Sequence, residues 1–233
     1  MPRACYFSNM KLLRRSLLLL AFLAAPAAVT FSSHESVASV SIAVPFDSLV
    51  KDADVVAVVI PQEAKSVWED GRIYTYTRVK VEQGIAGELG AGSEGWIRTL
   101  GGAVGKVGQM VDGEPVLTNG KSSLLFMRKF KAGTGWEVSA RAQGQYPVVV
   151  TDDAAKTKKV IRSANVGVLY PPKAQTTTDV QTNSTTTQST SGGATTTVAK
   201  VRLAQEVIHD RPLDEVTKEI ATAWKRLHPP PAK

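Results

Sequence analysis

A mainly β fold, an antiparallel barrel or sandwich followed by a C-terminal helix, is what this sequence predicts, and three observations carry the prediction. Valine-rich runs with strand-like alternation recur from Ala53 to Phe130, punctuated by the turn dipeptides Asp70-Gly71 and Asn119-Gly120. The chain is 43% hydrophobic but only 6% aromatic, so its core leans on valine, leucine and isoleucine, residues that suit a pleated surface. After a polar stretch, Leu213, Val216, Ile220, Trp224 and Leu227 recur at helical spacing.

The N-terminus comes first. Lys11, Arg14 and Arg15 precede the apolar run Leu17 to Ala25, and small residues follow, the order of a secretory signal peptide. Residues 1–38 are therefore expected to be a signal peptide and leader, with cleavage near Ala27 or Ala38 and with Met1 or Met10 as the start. The apolar run is shorter than the roughly 20 residues a spanning helix needs, which disfavours an uncleaved anchor. Cys5, the only cysteine, lies upstream of that run, so the exported chain would have no thiol, disulfide or thiolate metal ligand. Net charge falls from +7 to +4 once residues 1–38, with four basic groups and one acidic group, are set aside. That excess is spread along the chain, and no basic cluster with stacking aromatics is present, so nucleic acid is not an expected partner.

A β-domain is expected over residues 41–172. Pro45 to Lys51 has a proline at a helix start with Phe46, Leu49 and Val50 on one side, which predicts one or two helical turns lying on the β-core. Asp54 to Ile60 is apolar almost throughout and predicts a strand covered on both faces, with Pro61 as its end or a bulge. After the Asp70-Gly71 turn, Ile73, Thr75, Thr77, Val79 and Val81 fall on an inner face, while Tyr74, Tyr76, Arg78, Lys80 and Glu82 fall on the outer one. Tyr74 and Tyr76 side by side are candidate partner contacts. They equally suit a cross-strand aromatic role within the sheet.

Trp96 to Leu100 predicts a third strand. The loop Gly101 to Gly108 fails the phosphate-binding spacings, since Lys106 is followed by Val107 and no helix pattern opens after it; it reads as a flexible or bulged β-connection. Asn119-Gly120 is a second hairpin signal before the strand Ser122 to Phe130. Short strands follow at Trp136 to Ala140, Gln145 to Thr151 and Lys159 to Ile161, and Val166 to Tyr170 is expected to close the sheet before Pro171-Pro172. Residues 173–197 are threonine-, serine- and glutamine-rich and predict a disordered linker or loop. Residues 198–233 form a C-terminal helical segment whose single apolar stripe needs something to dock on, the β-domain or a partner; Trp224 on that stripe is a third candidate contact.

Catalytic patterns are missing. His34, His209 and His228 form no one-face metal pair, there is no H-E-x-x-H and no G-x-S-x-G, and Asp152-Asp153 reads as a turn. No catalytic, cofactor-binding or metal residue is assigned, and no cofactor is expected.

The succession Asp47-Ser-Leu-Val50, Ala53-Asp-Val-Val56, Tyr74-Thr-Tyr-Thr77 with Val79 and Val81, Leu100-Gly-Gly102, Gly105, Gly108 and Leu124-Leu-Phe126 resembles a recurring β-domain of exported bacterial proteins, a family with no assigned activity. More distantly it is similar to the netrin-like modules of tissue metalloprotease inhibitors, a likeness that implies an OB-like barrel. The inhibitors' N-terminal cysteine and disulfides have no counterpart here, which removes the basis for carrying over their mechanism.

The expected function is a secreted or periplasmic, non-catalytic β-domain that binds another exported protein or envelope component, touching a membrane only through an uncleaved leader. An exported enzyme whose site converges only in three dimensions, or a cell-envelope structural protein, is the competing class. A solid barrel interior with an exposed aromatic strip would favour binding, and a cleft with buried carboxylates or a partnered histidine would favour catalysis.

Overall fold

The computed structural model describes residues 40–131, 133–152, 154–172 and 201–230. The leader expected over 1–38 and the polar segment expected over 173–197 lie outside the described residues. Among the described residues, no helix is long and apolar enough to cross a membrane.

In chain order the elements are β1 (Val40–Ile42), α1 (Phe46–Lys51), β2 (Val55–Glu69), β3 (Arg72–Ala86), β4 (Glu94–Leu100), β5 (Gly102–Val104), β6 (Val107–Gln109), β7 (Ser123–Lys129), β8 (Trp136–Val138), β9 (Gln145–Val150), β10 (Lys158–Val160), β11 (Val168–Tyr170), α2 (Ala204–Ile208), β12 (Arg211–Pro212) and α3 (Leu213–Leu227). Hydrogen bonding runs β2-β3-β4-β8-β7 and returns to β2, a closed five-stranded barrel. Its pairs are antiparallel except β4 with β8, which run parallel. The β9, β10 and β12 strands continue the sheet outward from β7.

The near-continuous apolar reading of β2 has a direct cause, because its two faces serve two cores. Val55, Ala57 and Val59 point into the barrel with Val79, Val81, Ile97, Leu125, Met127 and Val138. Val56 and Val58 point outward, with Leu124 and Phe126 of β7, into a second core roofed by the helices. Phe46, Leu49 and Val50 of α1 enter that second core as the sequence anticipated, and so do Val207 and Ile208 of α2 and Leu213, Val216, Ile220 and Ala223 of α3. The apolar stripe of α3 therefore docks on the barrel of its own chain. Its charged side is tied down by Arg211 and Arg202 on Glu219 and by Arg226 on Asp47, the last at 2.8 Å.

Those ties carry a pH signature. Burial works to raise the Glu219 carboxyl, and hydrogen bonds from Arg211 and Arg202 outweigh it, holding the group below its ordinary value of 4.5. Glu82 is likewise lowered, chiefly by the Lys158 ammonium at 2.6 Å, with Ser122 also donating to it. A carboxyl with a depressed folded pKa contributes stability that is present above its unfolded value and lost as pH falls through the folded one. Stability is thus expected to decline from about pH 5 downward, and Glu219→Gln should weaken the protein at neutral pH while flattening that acid decline. Superimposable urea-midpoint profiles of the two proteins against pH would refute this.

Several expectations need correction. Of the two readings of Pro61, strand end or bulge, the bulge holds: β2 runs on to Glu69, and the proline sits at a register shift opposite β3. Asp70 and Gly71 both have positive φ, so their turn matches the twist of a long two-stranded arm and lets it extend. The glycine-rich loop, expected as a flexible or bulged β-connection, is the ordered β5–β6 hairpin, folded onto that arm. Asn119-Gly120 does turn, yet no strand precedes it; the Gly120 N–H is spent on the Pro61 carbonyl at 2.8 Å. Finally, β11 does not close the main sheet. It pairs in parallel with β1, a partner whose short run gave no strand period to read.

Candidate functional site

The helices roof one outer side of the barrel, and the outer side built from the far part of β3 with β4 and β8 carries a polar and aromatic cluster. Register alone lines it up. Lys65 of β2 stands opposite Tyr76 of β3, Tyr76 opposite Arg98 of β4, Arg98 opposite Glu137 of β8, and Glu137 opposite Arg128 of β7, so one row of side chains crosses five strands. Beside it run Val67, Tyr74 and Leu100, and on the other flank Glu63, Arg78 and Trp96.

Arg98 is the centre of this row. Its guanidinium carbon lies 3.4 Å from the Tyr74 ring centroid and 4.4 Å from that of Phe130. Its nitrogens donate to Glu69 at 2.7 Å and to Glu137 at 3.2 Å. Tyr76 donates its hydroxyl to the same Glu69 at 2.5 Å. The Tyr76 bond first, and then Arg98, hold the Glu69 carboxyl below its ordinary range. Partial burial and the adjoining Glu69 charge push the Tyr76 hydroxyl up. Burial opposes the charge on Arg98, but Glu69 outweighs it, and the guanidinium stays protonated. The cluster is a charge-compensated brace that fixes Tyr74 and Tyr76 in place.

A lysine cannot replace that arginine, because an ammonium offers neither the planar stack nor the fork that reaches two carboxylates. Arg98→Lys is expected to cost about 1–3 kcal/mol in urea unfolding. An unchanged midpoint would show that the brace contributes nothing.

Of the candidate contacts, Tyr74 and Tyr76 share this face, both half-buried. Trp224 is elsewhere: it stands on α3 with the second core, and His228 stacks on it with ring centroids 3.9 Å apart. Sequence reasoning did not single out Glu69, Trp96, Arg98, Phe130 or Glu137. The alternation Trp96-Ile-Arg98 was visible, but cross-strand register was needed to set Arg98 beside Tyr76. Trp96, 40% exposed, is the large apolar side chain this face presents to solvent.

His209 is held against the backbone, whereas His228 Nδ1 is buried with no hydrogen-bond partner among the described residues. His209 Nδ1 accepts the backbone N–H of Arg162 at 3.0 Å, and neighbouring Ser163 donates its hydroxyl to Gln145 at 3.2 Å, so the two are not coupled as base and nucleophile. Among the described residues, no group of three His, Cys, Asp or Glu side chains is placed to hold a metal ion.

Fold and site define a small closed barrel with one side roofed by helices and a braced aromatic face on another. No family model, no curated protein and no solved structure matches the chain.

Proposed function

We propose that this chain is an exported, non-catalytic binding module with an OB-like barrel, and that the outer face of β3, β4 and β8 holds another exported protein or envelope component. The observation that carries the reading is the braced row itself: Tyr74, Tyr76 and Arg98 are immobilised by mutual contacts beside a solvent-facing Trp96. A face ordered before binding loses little side-chain entropy on binding, and aromatic and arginine side chains are the usual anchors of protein interfaces.

Support for binding over catalysis is the barrel interior, where apolar side chains dominate and the charged Glu69, Arg98 and Glu137 lie outside, paired with one another. Support for the OB-like reading is the strand order β2-β3-β4-β8-β7 with its one parallel contact. The charged, apolar and small-residue order of residues 11–38 supports export. The alternating charges Glu63, Arg78 and Glu94 on the same flank weigh against a nucleic-acid partner, which would want a continuous basic track.

The test is capture from the native exported fraction by the full chain and by Trp96→Ala. The expected result is a partner retained by the former and lost with the latter. Identical captured sets would overturn the assignment of this face. Intact mass of the protein recovered outside the cytoplasm checks export, and recovery only from the cytoplasm would refute it.

A further inference from the structure

The face ends in a groove bounded by β3, β4, β7, β8, the loop at Glu114 and the turn after β8, lined by Tyr74, Arg98, Glu114, Arg128, Glu137 and Arg141. Its charges are layered. Glu114 and Glu137 are recessed, with side chains 14% and 25% exposed, whereas Arg128 and Arg141 stand on the rim at 56% and 55%. Arg98 is consumed by Glu69 and Glu137 and takes no part in the rim. Arg141 pairs with Glu114, and Arg128 reaches Glu137 at 3.5 Å.

The backbone that presents Arg141 is unusual. Ala140 and Arg141 are consecutive non-glycine residues that both hold φ at 55°, in the left-handed region. That conformation is disfavoured for residues with a Cβ, and such outliers persist only where the surroundings impose them. Here the turn is pinned by the Ser139 N–H on the Phe126 carbonyl at 2.8 Å and by the Ala142 N–H on the Gly113 carbonyl at 2.9 Å.

Building on the reading of the face as a protein-binding surface, we infer that this groove receives an extended acidic segment of the partner, with Arg128 and Arg141 clamping its carboxylates. An approaching anion meets the rim guanidiniums before the recessed glutamates. Each guanidinium has five N–H donors in a fixed fork, so it can keep its bond to the glutamate behind it and still receive a carboxylate in front. The glutamates thereby hold the clamp in position. They also discriminate, because isolated carboxylates spaced along a peptide can straddle them, whereas a phosphodiester strand with a charge at every step would be forced against Glu137 and Glu69. Tyr74 supplies the apolar wall such a peptide would lie on.

The test is fluorescence anisotropy of the full chain at low salt with three labelled probes of equal length: oligoglutamate, oligoglutamine and a single-stranded oligodeoxynucleotide. The expected result is preference for oligoglutamate, with binding at least ~10-fold weaker in the double variant Arg128→Gln/Arg141→Gln and unchanged in Lys218→Gln on the solvent side of α3. Equal binding of oligoglutamate by the double variant and the parent would overturn the clamp, and so would tighter binding of the oligonucleotide. Thermal unfolding of the double variant separates loss of the clamp from loss of the fold. Because the wider reading is judged by Trp96→Ala on partner capture, partner capture lost with Trp96→Ala and kept by the double variant would leave the face assigned and reject the acidic segment. Capture indifferent to Trp96 would reject the face itself.

Discussion

A chain ended at Pro172 is expected to lose cooperative unfolding and to expose apolar surface. Although the barrel closes without residues 201–230, the second core does not. Val207, Ile208, Leu213, Val216 and Ile220 are all essentially buried there, covering Val56, Val58, Leu124 and Phe126. Each such side chain contributes about 1.5–3 kcal/mol on burial, so the segment supplies as much as the whole net stability of an ordinary domain, about 5–15 kcal/mol. The loss extends to backbone bonds. The Phe46 N–H on the Arg202 carbonyl at 2.8 Å, the Ala204 N–H on the Val44 carbonyl at 2.9 Å and the β10–β12 pairing all go with it. Urea titration followed by far-UV circular dichroism reads the outcome. A sharp transition with the full chain's midpoint would mean that the barrel is self-sufficient and the helical roof an accessory.

Gly102→Val is the second large effect. The hairpin β5–β6 lies against the β2–β3 arm so closely that a Cβ at Gly102 would stand 2.2 Å from Thr75 Oγ1 and 2.4 Å from Ser66 Oγ. Neither hydroxyl can step aside freely: they bond to each other at 2.8 Å, and Thr75 donates to the Gly101 carbonyl at 2.6 Å. Gly102 also holds φ at 133°, where a branched side chain is strained whatever the space. A cost of about 3 kcal/mol is expected, lowering Tm by about 6–12 °C in a protein of this size. Gly90→Ala serves as the control, since nothing lies within 4 Å of its added carbon. If both variants melt alike, the close contact at Gly102 is unimportant.

That glycine run shows where sequence reading stopped. Its spacing was sufficient to set aside a phosphate site, because the required lysine and helix pattern were missing. What the glycines do instead, letting one hairpin press against two hydroxyls of another, depends on Ser66 and Thr75 lying opposite each other across a turn, which no local pattern encodes. The outer face behaves similarly. The two-residue period of β3 put Tyr74 and Tyr76 on one side, yet the brace that holds them comes from Glu69, Arg98, Phe130 and Glu137, scattered over four separate stretches of chain.

Alternation, turn dipeptides and helical spacing are local properties, and from them the sequence alone determined a mainly β domain, its turn at Asp70-Gly71, the helix at Phe46–Lys51 and the amphipathic helix at the C-terminus. Tertiary structure alone decided that β4 and β8 run parallel to close the barrel, that β2 divides its valines between two cores, and that α3 roofs its own chain. The reason is physical: side-chain period reports which face of an element is apolar, whereas the choice of what covers that face is made by shape and area across the folded chain.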